Sequence, residues 1–554
     1  MKAAHWLSGW GLFWSLTVVA GETPERNWQT HCSHCHGPER LGLTAPPLLP
    51  ETLKKIKPER IRGIISKGLP ATRMPAFGAS LSAGEINDLA RWILRPARVA
   101  WSHKDIHASI TLTGPKDFPV KSPPPPLNTT AVVERGKNRI WIMNGDQVID
   151  RFAMERVHGG LKFSADHRFV LVPTRDGRVG QYLQGQGYRG HVRPCIALRN
   201  VAIARDSRTI LAPCLLPAQL VTLDARSLKP VRSRALSGKI SAIYALHSRD
   251  EAVFTYRDKP GITILDTRDG SSRVLQTAEP IEDYFIDPWD RHLIGSSRKG
   301  SRLLVVDLQS GKEVFSTKVE GMPHLASAAF WYDDGKFYFA TSHIRKPRVS
   351  VWEMLDWRHV KDIPTGTNGF FVRTHQGTPW LWADRGRDGM LLIDKKTLET
   401  QTLTIAPGKQ VMHTEFSGDG HLAYISVYEP DGELTIVDSQ TLRVRKRMPA
   451  SIPVGKYNIV NKQRRFHAPA LGQSVFMHRC WGCHHETEMA FGPSLAHISS
   501  RRTDGEIRAW LANPELMARH RGKSDAGMPE IRLNPTETDV LLRYIRWSEK
   551  GLNL

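Results

Sequence analysis

One phrase recurs through the middle of this 554-residue chain: a short apolar strand, an aspartate, then a polar turn. It reads VTLDARSL at Asp224, ITILDTRDG at Asp266, LLVVDLQSG at Asp307, LLIDKKTL at Asp394 and LTIVDSQTL at Asp438. Weaker copies stand at Asn144 (IWIMNGD), Gln184 (VGQYLQGQG) and Glu353 (VSVWEMLDW). The step is roughly 40 residues, the length of one multi-stranded blade of a β-propeller. Short apolar runs broken by Gly and Asp, with little helical periodicity, predict strands rather than helices. Eight copies predict eight blades over residues 131–462. Seven blades plus one irregular set of strands is the rival count. A ring of eight leaves a hub wide enough for a large planar ligand. KSPPPPLNTT (Lys121–Thr130) is stiff and proline-rich, and it marks a linker over residues 99–130.

The two ends follow a different grammar. HCSHCHGPER stands near the start and HRCWGCHHET near the end. Two thiols two residues apart, with histidine directly after the second, form a covalent c-type haem site. Cys32 and Cys35, or Cys480 and Cys483, take the thioether bonds, and His36 or His484 takes one axial position on iron. The other axial ligand must come from further along. TRMPAFGASLSAGEINDLARWIL places Met74 in a proline-broken loop, then a Ser82/Glu85 capping box. Ile86, Leu89, Ala90 and Ile93 follow as one apolar helical face. AGMPEIRLNPTETDVLLRYIRW repeats the order, with Met528 followed by an Asn534 cap, Pro535 and Glu537. A lone Met-Pro is ordinarily only a loop. Found at the same place in both ends, it assigns Met74 and Met528 to iron, a His/Met pairing suited to electron transfer. His485 is set aside as a ligand, and His31, His34 and His478 read as surface residues beside the haem loops. The expected fold is therefore an all-β eight-bladed propeller flanked by two all-α cytochrome c domains, at 21–98 and 465–554.

The opening MKAAHWLSGWGLFWSLTVVAGE has basic Lys2, an apolar run from Trp10 to Val19, and small residues around Ala20. It predicts a signal peptide over 1–20, a periplasmic protein and no membrane span after cleavage, with a retained anchor as the alternative. Of the six cysteines, Cys195 and Cys214 are outside the haem motifs. In an oxidising compartment they form either a disulfide or two buried thiols. The net charge is +22, but Lys and Arg are scattered. Export argues against nucleic acid, leaving a solvated basic surface or a face for something acidic.

Three histidines stand at strand entrances: His158 in ERVHGGLKFSADHRF, His324 in VEGMPHLASAAFW and His413 in VMHTEFSGDGHLAY. Inner strands of successive blades face the hub, so the three could share one ligand. Each alone is equally well read as a hydrogen-bonded structural histidine. Together, VHGGLKFSADHRF, GMPHLASAAFW and PVGKYN resemble the haem d1-binding propeller of cytochrome cd1 nitrite reductases. They are more similar to the relatives of NirN and NirF type, which act in haem d1 biosynthesis. CHGPERLGLTAPPLLPETL and GLPATRMPAFG likewise resemble the cytochrome half of the NirN type, so only the C-terminal cytochrome is left outside the resemblance.

The resemblance implies non-covalently bound haem d1 or dihydro-haem d1 beside two covalent c haems. It implies His158 as the proximal iron ligand, His324 on the distal side, and His413 and Tyr457 near the macrocycle. Arg175 in PTRDG and Arg199 in IALRNVAIA would pair with its carboxylates, a role suited to the bidentate guanidinium. Exposed strand-end arginines are their other reading. The implied activity is oxidation of dihydro-haem d1, propionate to acrylate, with His324, His413 and Tyr457 as catalytic candidates. Electrons would pass to the c haems and a periplasmic electron-transfer protein, and product to a nitrite reductase. One departure matters. Nitrite reductases hold a pair of distal histidines, and the first would fall in AEPIEDYFIDPWD, which has Glu282 and Asp283 instead. Nitrite reduction, with Asp283 or Tyr457 as substitute, is thus the second expectation. A non-catalytic haem d1 carrier or electron relay is the third.

Overall fold

The computed structural model describes residues 23–54, 56–69, 74–97, 99–114, 128–157, 159–297, 301–464 and 468–552. The expected signal peptide, the stretch 115–127 and His158 lie outside the described residues. The chain divides into two compact units, Met1–Ala100 and Trp101–Leu554.

The first unit is helical: Pro24–His31, Ser33–His36, Pro50–Leu53, Pro58–Lys67 and Ala83–Ile93. The last helix starts at a reciprocal capping box. Ser82 Oγ accepts the Glu85 N–H at 3.3 Å, and Glu85 Oε2 accepts the Ser82 N–H at 2.9 Å. Its Ile86, Leu89, Ala90 and Ile93 are buried against Trp28, Ile61 and Ile65. Burying this stripe is what holds so short a helix in place.

The second unit begins with antiparallel sheets in a propeller-like arrangement, mostly of four strands. The recurring aspartates have one job. Each closes its turn by accepting a backbone N–H two or three residues on: Asp224 from Ser227, Asp307 from Ser310, Asp394 from Thr397 and Asp438 from Thr441 at 2.8–2.9 Å. Asp does this with its own side chain, which is why it punctuates the repeat. At Asp307 burial opposes ionisation, but the Ser310 and Gln309 amides and the Arg291 guanidinium outweigh it and hold the carboxyl at about 2. Its contribution is therefore complete above pH ~4 and is lost as the pH falls through ~2. Asp307→Asn should flatten the acid limb of unfolding free energy between pH ~4 and ~2 by about 2 kcal/mol, measured by urea titration across pH.

The strand Pro453–Asn458 pairs with Thr129–Glu134, Ala131 opposite Tyr457, so the end of the repeat array joins its beginning. A seven-stranded sheet contains the 17-residue strand Thr400–Phe416, which pairs with Gly386–Asp394 on one side and Leu422–Val427 on the other. Residues read as linker carry structure. The helix His103–Ala108 sinks Ile106 among Leu171, Val192 and Leu198, and Thr111–Leu112 pairs with the strand Gly187–Val192. Cys195 and Cys214 are disulfide-bonded, with Cα atoms 5.9 Å apart.

From Asn458 the chain enters the helix Ile459–Arg464 and then a helical region with Ala468–Arg479, Ile498–Arg501, Asp504–Ala512, Pro514–His520 and Pro535–Leu552. One apolar core runs through both parts of this unit: Phe285, Tyr332 and Trp352 from the strands meet Leu471, Phe476 and Tyr544 from the helices. The buried carboxylate of Glu537 ties them. It accepts the Tyr332 hydroxyl at 2.5 Å and the Asn534 N–H at 2.7 Å. No helix among the described residues is long and apolar enough to cross a membrane.

Candidate active site

Both haem loops are built to present a histidine. His36 Nδ1 lies 2.7 Å from the Pro46 carbonyl, and His484 Nδ1 lies 2.8 Å from that of Pro493. A carbonyl there fixes the proton on Nδ1 and leaves Nε2 for iron. Cys32, Cys35, Cys480 and Cys483 carry no disulfide. Close packing supports each loop. Trp28 Nε1 donates to the carbonyls of Gly37 (3.2 Å) and Pro38 (3.0 Å), and Arg40 donates to Ile93 at the terminal helix end (2.7 Å). At the other site a Cβ on Gly492 would come within 2.5 Å of the His484 ring, so only glycine passes. The donor set fits a covalent c haem at each end. Met74 is half-buried in a loop held to the preceding helix by a Leu69 N–H to Met74 carbonyl bond of 3.1 Å. Met528 is half-buried in the loop before Pro535.

Within the propeller-like region, three expected residues meet. His324 sits 6.0 Å edge-on to Phe371, Phe371 sits 4.4 Å from His413, and His413 sits 6.2 Å from Tyr457, all between ring centroids. The Tyr457 hydroxyl then accepts the Gly160 N–H at 2.6 Å. This continuous line of rings ends two residues from position 158. His324 Nδ1 faces Asp283 Oδ2 at 2.6 Å, and Asp283 Oδ1 also accepts the Ala326 N–H at 2.8 Å, so the imidazole is oriented with Nε2 left over. His413 is 3 % exposed, and its Nδ1 is buried with no hydrogen-bond partner among the described residues. Burial, then the positive charges of Lys456 and Arg373, hold its pKa well below that of free imidazole. It is a neutral base at pH 7.

Arg175 is exposed in the turn between the strands Phe169–Pro173 and Val179–Leu183. Although the residue as a whole is exposed, the protein around its guanidinium and the like charges of Arg135, Arg156 and Arg199 lower its pKa, so four guanidiniums crowd one region. Arg199 is half-buried and donates Nε to the Ser241 carbonyl. Such a crowd is relieved by an anionic ligand.

Four residues about this line escaped the sequence reading. Phe371 links His324 to His413, and Arg373 lies over its ring at 5.6 Å. Asp384 and Lys456 flank His413. Lys456 gave a signal, since PVGKYN places the strand's one charged residue between Gly455 and Tyr457. Arg373 and Glu415 also line a cavity of about 730 Å³ shared with His478 and Trp481 of the C-terminal haem loop.

Residues 125–462 match the cytochrome D1 heme domain family, 469–549 the cytochrome c family, and 19–93 the family of cytochrome C oxidase, cbb3-type, subunit III. The chain is similar to the dihydro-heme d1 dehydrogenase of Pseudomonas aeruginosa, 37 % identical over 476 residues that span 82 % of this chain and 97 % of the relative. Protein NirF of the same organism is 26 % identical over 374 residues, 60 % of this chain and 92 % of NirF. Among solved structures, "Dihydro-heme d1 dehydrogenase NirN in complex with DHE" superposes with a TM-score of 0.75 at 36 % identity, covering 80 % of this chain and all of that one.

Proposed function

This chain belongs to the dihydro-haem d1 dehydrogenase family, and on that footing we propose that it oxidises dihydro-haem d1 to haem d1 in the periplasm. One propionate arm becomes an acrylate. Two electrons and two protons leave, and no atom is added. The observation that carries this reading is the line of rings from His324 to Tyr457, with a neutral imidazole at His413 whose Nδ1 has no hydrogen-bond partner among the described residues.

The roles follow from the geometry of these residues. His413 Nδ1 accepts a proton from the arm, because it is a buried basic atom with no hydrogen-bond partner among the described residues. His324, oriented by Asp283 through Nδ1, keeps Nε2 for a ligand or proton and stands edge-on to Phe371. Tyr457, hydrogen-bonded to the Gly159-Gly160 turn, fixes the segment that follows His158, the residue assigned to the substrate's iron. Arg175 and Arg199 hold carboxylates. Phe371 stands between the two imidazoles with Arg373 over its ring. Cys32, Cys35, His36 and Met74 would hold one c haem, and Cys480, Cys483, His484 and Met528 the other. Each c haem supplies a one-electron acceptor. An external periplasmic electron-transfer protein reoxidises them, and a nitrite reductase takes the product. Reading the seven-stranded sheet as two blades divided within Thr400–Phe416 supports a count of eight, with all-α cytochrome c domains proposed at 21–98 and 465–554.

Asp283, in the segment where nitrite reductases would carry the first distal histidine, is engaged by His324 and the Ala326 amide, which disfavours it as a proton donor to nitrite. Anaerobic mixing of the oxidised dihaem protein with dihydro-haem d1 tests the reading. The expected result is appearance of haem d1 together with two reduced c-haem equivalents per substrate. Binding without conversion would leave a carrier, and nitric oxide from nitrite and a reduced donor would make it a reductase.

A further inference from the structure

His413 holds a backbone conformation that L-residues rarely adopt, with φ of +56°. It lies inside the strand Thr400–Phe416, where pairing with Leu422–Val427 breaks register between Met412 and Glu415. Such an outlier persists only where the surroundings fix it, and it is a pointer to function rather than a consequence of it. The surroundings here are two buried charges on different strands. Asp384, 2 % exposed, accepts the His413 N–H on Oδ1 at 2.8 Å and the Phe371 N–H on Oδ2 at 3.2 Å. One carboxylate thus holds the backbones of both rings in the 4.4 Å contact. Lys456 is fully buried and donates Nζ to the His413 carbonyl and to Ser426 Oγ. No carboxylate lies within ion-pair distance of Lys456 among the described residues.

A lysine taken out of water to serve a carbonyl is a costly choice for stability alone, since apolar packing would do as well. Burial pushes the Lys456 amine down to about 7, with Asp384 and Glu415 opposing, and pushes the Asp384 carboxyl up to about 6. Both groups lie next to the ring line. Lys456 precedes Tyr457 in the closing strand, and Asp384 reaches Phe371.

We propose that Asp384 and Lys456 are positioning residues for the oxidation: a two-sided clamp on the main chain of residue 413 that sets its imidazole against Phe371 and aims Nδ1 at the substrate arm. The proposal rests on the dehydrogenase reading for its chemistry, but the clamp itself is a matter of placement. The carboxylate is needed because it has two acceptor oxygens for two N–H groups. An amide has one, and its NH2 would confront a donor.

The test uses the full dihaem chain. Crystal structures of ligand-free wild type and Lys456→Met should show the variant's residue 413 leaving positive φ and its ring leaving Phe371. In anaerobic turnover Lys456→Met should lower kcat about 10–100-fold, with KM for dihydro-haem d1 changed less than about threefold. In a His413→Ala background the same substitution should change the residual rate less than about twofold, because the group it positions is gone. An unmoved ring, or an equal loss with and without His413, would overturn the clamp. If Lys456→Met does not fold, Asp384→Asn enters the same cycle and should displace one of the two rings. Wild type that fails to oxidise dihydro-haem d1 would remove the dehydrogenase reading, and the crystallographic comparison would still decide the clamp.

Discussion

His413→Ala should lower kcat for dihydro-haem d1 oxidation about 10²–10⁴-fold, the range over which a positioned general base acts. KM should move little, because the imidazole is set for proton transfer and the carboxylate contacts lie elsewhere. Single-turnover reduction of the c haems in the absence of oxygen reads the step directly. Since burial holds this imidazole's pKa well below that of free histidine, the wild-type rate should show no acid limb near the free-histidine value. The parallel variant His324→Ala separates the two histidines. If it turns over at the wild-type rate, His324 has no part in the reaction and Asp283 merely stores it.

Arg175→Ala with Arg199→Ala should weaken binding of dihydro-haem d1 by about 10²–10⁴-fold, taking about 10–100-fold for each charge-assisted contact. Catalysis at saturating substrate should stay within about threefold. The asymmetry is the informative part. Arg175 stands among like charges with no carboxylate partner among the described residues, so an acidic ligand relieves the repulsion among these guanidiniums. Equilibrium absorbance titration measures the loss, and repeating it at higher salt should shrink the gap between wild type and variant.

Much of the frame was legible because local chemistry imposes it. The aspartate phrase recurs since each turn needs a carboxylate to cap its amides, and the Cys-x-x-Cys-His motifs are set by bonds to one cofactor. The capping residues Ser82 and Asn534 announced helices that do begin there. What stayed hidden depends on distance along the chain. WLWADRGRDG around Asp384 reads like another turn-capping aspartate, yet its carboxylate reaches inward to amides 13 and 29 residues away. Phe371 looked like one more core aromatic. Nothing near it in sequence says that it sits between two histidines from other strands. The segment 101–114 read as linker because its neighbour is proline-rich, whereas one buried isoleucine and a two-residue strand fasten it to a sheet edge. Cys195 and Cys214 were undecided until strand register brought them together.

The shared core of Phe285, Tyr332 and Trp352 with Leu471, Phe476 and Tyr544 has a kinetic meaning. Most electron acceptors must find their donor by diffusion, and their rates fall on dilution and vary with ionic strength. Here the second thiol-bearing domain is mounted as firmly as any part of a domain interior, and its Cys480 stands only 23 residues beyond Tyr457, the last ring of the line. Exchange between the two should therefore be first order, indifferent to protein concentration, and gated by side-chain packing rather than by encounter.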